Sequence, residues 1–393
     1  MDVTVPQAPS SYDDFRADLK KFIAAHAPAP VEPKKAGMRT PETSAEVAEL
    51  QRWLLALTEA GFNPLALAEQ DDSWLQLVAT EELAAAGAPY KIGNPLIETA
   101  IANHGTDEQK KQFLPRLRAG QDIWCQLFSE PNAGSDLAAM QTRAVREGDS
   151  YRISGQKVWT TWGQWSDFGY LLARTDPEAE KHAGITAFVI DMRQAGVEAR
   201  PLREITGTSD FNEVFFTDAI VPVSYRIGEE GQGWRIATTS LAAERGGQGG
   251  GDRGLTDQIL DLIGLASAQP EFEEMIVDAR RDLVRLYEQA HAFKYLEHRM
   301  VSKRARNLAE PADAPMLKLS FSSLNLAVAE QAMELLGSNS ILAADDSRSA
   351  ESGRWQDMFL YSRAYTISAG SNEIMRNLIA ERGLGMPREG RHG

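Results

Sequence analysis

Cys125 is the chain's only cysteine, so no intramolecular disulfide is available and the fold must rest on packing. The six histidines (His26, His104, His182, His291, His298, His392) are scattered, with neither zinc-ligand spacing nor the paired pattern of a metalloprotease helix, and no metal is expected. Positive charge is scarce: 41 Lys and Arg against 56 Asp and Glu leave a net charge of -15, a field that repels nucleic acid and anionic membranes. No apolar run approaches the roughly 18 residues of a membrane span. The opening MDVTVPQAPSSYDDF carries acids and lacks the apolar centre of a signal or transit peptide. These absences predict a soluble, cytoplasmic protein in a reducing compartment, with no nucleic-acid or membrane partner.

What is present is size and pattern. At roughly 150 residues per domain, 393 residues predict two or three domains, and 43% hydrophobic content gives each a core. Residues 43 to about 120 read as helices: Val47, Leu50, Trp53, Leu54 and Leu57 form one stripe, and Gly61 stands where that helix should stop. Thr106 and Gln109 form a capping box for a further helix, which Pro115 is expected to keep short. From Trp124 the texture becomes alternating and β-branched, with Gly148-Asp149 as a hairpin turn, and about 100 residues of short strands predict a sandwich or barrel. After Gly231 the helical period returns. Phe272, Met275, Ile276, Ala279, Leu283, Leu286, Ala290, Phe293 and Leu296 mark one face of a long helix of the kind found in bundles. Residues 345–354 read as an exposed polar loop, and a last helix is expected over 370–383. The layout is helical over 1–123, β over 124–232 and helical again over 233–393, with no internal repeat.

Five motifs stand in this order: LFSEPNAGSD (127–136), KVWTTWG (157–163), FNEVFFTDAIVP (211–222), GEEGQGW (228–234) and AGSNEIMRNLIAERGLG (369–385). Each alone is weak, but the five together, on an α–β–α layout, resemble the acyl-CoA dehydrogenase family from about residue 45 to the end. The resemblance implies an α+β fold of an N-terminal helical domain, a middle β-barrel or sandwich and a C-terminal four-helix bundle. It also implies FAD, a CoA thioester substrate, α,β-dehydrogenation, and electrons passed to an electron-transferring flavoprotein.

Carried over residue by residue, the resemblance turns the amides of Phe128 and Ser129 and the Ser129 hydroxyl toward the N1/O2 edge of the flavin, where charge develops on reduction. It sets Thr161 near N5 and Trp159 over the ring face turned away from substrate. Gly134 and Ser135 belong to a small-residue turn that lets backbone approach a phosphate, with Ser135 near the pyrophosphate and the CoA chain. Ser371 and Glu373 match FAD-contacting positions of the last motif, and Glu334, Gly337 and Ser338 match the stretch that closes the ADP half from a neighbouring chain. There Glu replaces Gln and Ser replaces the second Gly, and an acid beside a pyrophosphate is unfavourable.

The base departs from the commonest pattern. Many members carry the catalytic Glu directly before the Gly of the last motif, where this chain has Ala369, which keeps only the backbone N–H that holds the thioester oxygen. A subset, with isovaleryl- and long-chain-type enzymes among them, carries the Glu on the first helix after the β-domain, just before an Arg. Glu244-Arg245 stands there, flanked by small and apolar residues rather than a solvated face. The resemblance therefore makes Glu244 the α-proton base and Arg245 its support, with Ser135, Leu241, Gly247 and Gly370 on the substrate. The glycines at 246, 247 and 249–251 remove side chains from a helix expected to line the acyl cavity, which predicts a branched or bulky acyl group. A flavin-dependent oxidase or monooxygenase on the same fold and a non-catalytic partner subunit are the alternatives. For assembly, a homotetramer or homodimer stands beside a heteromer with a related subunit that supplies an intact ADP site.

Overall fold

The computed structural model describes residues 10–28, 40–67, 70, 72–90, 92–94, 96–245, 255–268, 273–306, 308–342 and 346–388. In chain order the elements are α1 (Asp13–His26), α2 (Ser44–Glu59), α3 (Pro64–Leu67), α4 (Ser73–Ala85), α5 (Ile97–His104) and α6 (Asp107–Arg118). The strands follow as β1 (Trp124–Leu127), β2 (Arg143–Glu147), β3 (Ser150–Thr161), β4 (Phe168–Arg174), β5 (Ile185–Asp191), β6 (Val197–Leu202), β7 (Phe211–Pro222) and β8 (Arg226–Ile227). The chain returns to helix with α7 (Gly233–Arg245), α8 (Leu255–Ala268), α9 (Glu273–Ala305), α10 (Asp313–Leu336), α11 (Arg354–Ile367) and α12 (Asn372–Leu378). These helices and strands form two compact units, one of residues 40–69 and 89–244, the other of 1–39, 70–88 and 245–393.

The first unit is built on one sheet of order β6-β7-β3-β2-β4-β5-β8, with β1 joined parallel to β4. Gly148, at φ +60°, and Asp149 make the two-residue hairpin between β2 and β3. The period-two alternation of β4 and β5 feeds two cores. Tyr170, Leu172, Ala187 and Val189 face the helices, packing with Ile97 and Ile101 of α5, Phe113 of α6 and Ile236 of α7. Leu171, Ala173, Phe188 and Ile190 face the other way, onto Tyr151 and Ile153 of β3 and Val214, Phe216 and Val221 of β7. Burial on both faces is why FGYLLAR reads as a continuous apolar run. The capping box closes as the sequence requires, with Gln109 N donating to Thr106 Oγ1 (3.2 Å) and Thr106 N donating to Gln109 Oε1 (3.0 Å). Gln109 then donates from Nε2 to the carbonyls of Ser224 and Arg226, which fastens α6 to the end of the sheet. Pro115 sits inside α6, and the helix runs three residues beyond it to Arg118.

In the second unit α8, α9, α10 and α11 share a core of Ile259, Leu262, Leu283, Leu286, Phe293, Val328, Ala332 and Trp355. The predicted face of α9 holds from Leu283 to Phe293 and continues to Met300, whereas Phe272 and the side chains of Met275 and Ile276 lie outside the described residues. Residues 13–26, within the segment expected to be helical, form α1, which buries Leu19 and Ile23. One expectation needs correction. Arg354, read as part of an exposed loop, is buried at the start of α11, pairs with Asp261 and Glu351 at 2.8 Å each, and lies over the Trp355 ring.

Where α4 meets α9, Glu81 Oε1 lies 2.8 Å from His298 Nε2. Burial would raise the Glu81 pKa, but His298, Lys294 and Arg16 together hold Glu81 below the usual carboxyl range. Half-buried Glu297 shows the opposite result: burial first, then the negative Glu81, push it up to about 8 against Lys294. A folded state that keeps this proton until about pH 8, while the unfolded chain releases it near 4.5, loses stability as pH rises through that window. Glu297→Gln should therefore raise the unfolding temperature at pH 8 and leave it unchanged near pH 4.5, as read by scanning calorimetry across that range; an equal shift at both pH values would refute the assignment.

Candidate active site

The first motif leaves the end of β1 and is held from beneath by a buried ion pair. Lys157 of β3, 0% exposed, donates from Nζ to Glu130 Oε1 (2.8 Å) and to the Phe128 carbonyl (2.9 Å). Glu130 also accepts from the amides of Gln141 (2.6 Å) and Thr142 (2.9 Å). The Ser129 carbonyl accepts from Val158 N at 2.9 Å, and Glu130 and Ala133 exchange backbone bonds across the turn. Burial pushes the Lys157 ammonium down to about 8 against the pull of Glu130. Burial would raise Glu130, but Lys157 and the two amides together hold it below the ordinary value. Because C=O and N–H point in opposite directions across a trans peptide, turning the Phe128 carbonyl inward to Lys157 turns the Ser129 N–H outward. Sequence reading passed over Glu130 and Lys157. The available signal was a lysine inside an apolar strand and a glutamate in a glycine-rich turn.

Beyond Lys157 the β3–β7 ladder breaks register until Thr160 meets Asn212. The extra residues form a bulge in which Trp159 has φ +60°, and its side chain stands 62% exposed with its ring edge-on to Phe211 at 6.1 Å. Thr161 is buried just behind it. Asn212 donates to the Thr160 carbonyl at 3.0 Å, yet Asn212 Oδ1 and Thr160 Oγ1, both buried, have no hydrogen-bond partner. Gly134, Ser135 and Asp136 are exposed, and Asp136 pairs with Lys181. A Cβ on Gly134 would meet nothing within 4 Å, so the fold itself does not demand a glycine there.

Helix α7 starts hard against β5, since a Cβ on Gly233 would come within 2.6 Å of the Thr186 backbone. Its stripe of Ile236, Ala237 and Ser240 is buried, and Leu241 packs partly on the same core as Phe128 and Tyr170. Glu244 and Arg245 are the last two residues of the helix. The side chains of both residues lie outside the described set, as do Gly246, Gly247 and Gly249–Gly251.

In the second unit, α11 ends at Ile367, and Ala369 (φ +53°) and Gly370 (φ +93°) turn the chain into α12. Ser371 is the N-cap of α12, its hydroxyl accepting from Ile374 N at 3.4 Å, and Glu373 is exposed. Asn372 is buried and accepts from Lys318 Nζ (3.0 Å) and Ser322 Oγ (2.7 Å), which pins this turn to α10. Glu334 and Ser338 stand exposed at the end of α10, with Gly337 between them at φ +52° as the helix-ending residue. The structure thus groups Phe128, Ser129, Ser135, Trp159, Thr161 and Leu241 in one unit and Glu334, Gly337, Ser338, Ala369, Gly370, Ser371 and Glu373 in the other. Among the described residues no cluster of His, Cys, Asp and Glu could hold a metal ion, and no helix is long and apolar enough to cross a membrane.

Residues 10–121, 125–219 and 231–384 match, in turn, the N-terminal, middle and C-terminal domains of acyl-CoA dehydrogenases. The chain belongs to the acyl-CoA dehydrogenase family. It is 35% identical over 387 residues to acyl-CoA dehydrogenase IpdE1 of Mycobacterium tuberculosis, covering 96% of this chain and 98% of that protein. It is 37% identical over 368 residues to acyl-CoA dehydrogenase FadE34 of the same organism, covering 90% of this chain and 49% of the relative. Among solved structures it is similar to the Tcur3481-Tcur3483 steroid ACAD (TM-score 0.81, 27% identity, 98% of this chain and 99% of that one). It is also similar to the ChsE4-ChsE5 complex from Mycobacterium tuberculosis (TM-score 0.79, 27% identity, 99% of this chain and 100% of that one). As an acyl-CoA dehydrogenase it is an oxidoreductase of the CH–CH bond of an acyl-CoA.

In this acyl-CoA dehydrogenase the buried pair holds the first motif in shape, and breaking it from one side leaves a charge without a counter-ion. Lys157→Met should cost about 3–5 kcal/mol. Lys157→Met combined with Glu130→Gln should recover part of that loss, because the uncompensated carboxylate is gone, while Gln141 N and Thr142 N, which bond to different carboxylate oxygens, are left one glutamine oxygen between them. Urea unfolding of the two single variants and the double would measure this; losses that simply add would show that the two side chains act independently.

Proposed function

We propose that this chain is the catalytic subunit of an FAD-dependent acyl-CoA dehydrogenase in which Glu244 removes the α-proton. One observation carries it: Ala369 offers no acid in the last motif, while Glu244 is the last residue but one of α7, a helix whose Ile236, Ala237 and Leu241 pack on the core that contains Phe128. The residues of the β-unit fit a flavin. The Ser129 amide points outward, Trp159 presents an exposed indole on a strained backbone, two buried polar atoms beside it lack partners, and Gly134 leaves open space.

FAD, when bound, supplies the acceptor for the hydride leaving the β-carbon. Phe128 and Ser129 would donate to its N1/O2 edge, Thr161 near N5, and Trp159 would cover one face, with Ser135, Ser371 and Glu373 toward the remainder. A thioester α-proton is only weakly acidic, so the Glu244 carboxylate must be desolvated and the charge growing on the thioester oxygen must meet a donor. The backbone N–H of Ala369 would be that donor, and its left-handed conformation does not depend on an acid in the side chain. By the family resemblance Arg245 would support the base, Leu241, Gly247, Gly370 and Ser135 would belong to the substrate's binding residues, and an electron-transferring flavoprotein would take the electrons onward.

The acyl group we propose is bulky and polycyclic, supported by the likeness to a protein named a steroid ACAD. For assembly we propose a heteromer with a related chain. The exposed Glu334 and Ser338 are poor neighbours for a pyrophosphate, and both similar structures are named for pairs of polypeptides. Glu244→Gln should slow flavin reduction by at least about 10²-fold without loss of flavin. Anaerobic stopped-flow with a panel of acyl-CoAs tests this, and near-normal reduction in the variant would remove Glu244 from the mechanism. The same panel should favour polycyclic over short linear thioesters by kcat/KM. Expressed alone, the chain should be flavin-poor and gain flavin on co-expression with a related subunit; a fully flavinylated homo-oligomer would overturn the heteromer.

A further inference from the structure

Lys318 lies on α10 with only 3% of its surface exposed, and its helix neighbours Leu317 and Leu324 belong to the bundle core. Its ammonium donates from Nζ to Asn372 Oδ1 at 3.0 Å, and Ser322 Oγ, one turn further along α10, donates to the same oxygen at 2.7 Å. Ser322 and Asn372 are buried as well, so both lone pairs of the amide oxygen are used inside the protein. A methionine or leucine at 318 would occupy this place without taking an ammonium out of water, which is unfavourable. Packing therefore does not explain the lysine. What it does is reach from α10 to the first residue of α12.

Asn372 stands just after the turn that joins α11 to α12. Two successive residues in that turn have left-handed backbone, Ala369 at φ +53° and Gly370 at φ +93°, and a residue with a Cβ keeps that conformation only when the chain on both sides is fixed. On the entry side, Ser368 N donates to the Ala364 carbonyl at 2.8 Å. On the exit side, the cap bond from Ile374 N to Ser371 Oγ is long at 3.4 Å, whereas the two contacts to Asn372 are shorter and buried. We propose that Lys318 is a positioning residue for this turn: through the Asn372 amide oxygen, which it shares with Ser322, it fixes the direction of the Ala369 N–H without touching the substrate. The proposal rests on the assignment of that N–H as the donor to the thioester oxygen. Only Gly370 and Ser371 separate Ala369 from Asn372. Because glycine turns in either direction at little cost, a loosened exit lets Ala369 relax toward right-handed backbone and swings its N–H away.

Lys318→Met, Asn372→Ala, their double variant and Asn372→Asp would be compared with the parent as flavin-loaded enzyme. Three quantities are read: anaerobic flavin reduction, the unfolding midpoint, and the infrared carbonyl stretch of a bound α,β-unsaturated CoA thioester, isotope-labelled at the thioester carbon. The thioester used is the product of whichever acyl-CoA in the panel reduces the flavin fastest. A donor to the thioester oxygen lowers that stretch. Lys318→Met should return it toward the value of the free thioester and slow reduction by about 10- to 100-fold, the scale of a misplaced oxyanion contact. The unfolding midpoint should stay level or rise, because no ammonium has to be buried. Asn372→Ala should act in the same direction on rate and stretch, and the double variant should be no slower than the slower single one. Asn372→Asp keeps an oxygen for both donors and should hold the parent's rate and stretch. The proposal is overturned by parent-like rate and stretch in Lys318→Met, by rate losses that follow a falling midpoint, or by an Asn372→Asp variant as slow as Asn372→Ala. Loss of flavin from Lys318→Met, with normal reduction in the fraction that keeps it, would also overturn it. If the parent leaves the bound carbonyl at its free value, the assignment of the Ala369 donor itself fails; if parent and Lys318→Met lower the stretch equally, only the positioning role fails.

Discussion

The Lys157–Glu130 pair is the contact from which the β-unit's working surface follows. An ammonium taken wholly out of water must be surrounded by acceptors, and here these are one carboxylate and one main-chain carbonyl, 27 and 29 residues away in sequence. Satisfying them decides the peptide orientation at Phe128–Ser129, and that orientation sends the next N–H outward. The carboxylate in turn gathers the amides of Gln141 and Thr142, so one charge fixes both ends of the loop between the first motif and β2. A hydrophobic pair of similar volume could fill the cavity, but it would leave the Phe128 carbonyl and two amides without partners. The pair is retained for the directions it imposes rather than for net stability.

Two positions outside glycine hold left-handed backbone where chemistry is proposed, Trp159 and Ala369. Such conformations cost on the order of 1–3 kcal/mol each and persist only when their neighbours leave no alternative. At Trp159 the neighbours are Val158 N–H, bound to Ser129, and the Thr160 carbonyl, bound to Asn212. At Ala369 they are Ser368 N–H, bound back to Ala364, and Asn372, pinned by Lys318 and Ser322. In both places the flanking residues are fixed first and the strained one follows. That ordering lets the side chain at 369 vary without losing the direction of its N–H.

How much of this was legible from sequence depended on whether the signal was local. The Thr106/Gln109 box, the Gly148-Asp149 hairpin and the stripe from Leu283 to Phe293 are each read within a dozen residues, and each is present in the fold. The five ordered motifs placed the family and the candidate residues. Lys157 was invisible as a core group because a lysine in a strand ordinarily faces solvent, and its partner is remote in sequence. Arg354 was misread for the same reason, its partner Asp261 being 93 residues away. Pro115 misled because a proline is a poor helix residue on average, yet α6 carries it near its end and continues to Arg118. The division of the first helices between two units, with α1 and α4 in one and α2, α5 and α6 in the other, has no local signal.

On the proposed assignment, the acid leaves the turn before Gly370 and works from the end of α7. Holding the thioester oxygen would be a backbone task, so it could stay at residue 369 whatever side chain is there. Removing the proton needs only a carboxylate that reaches the α-carbon with a raised pKa. The carboxyl end of a helix favours the second condition in general, because its unpaired carbonyls carry partial negative charge that opposes ionisation of an acid nearby, and the proposed base is the last residue but one of α7. On that proposal, alanine at 369 gives up an acid at one strained turn without giving up the backbone donor, and a helix end supplies the acid in its place.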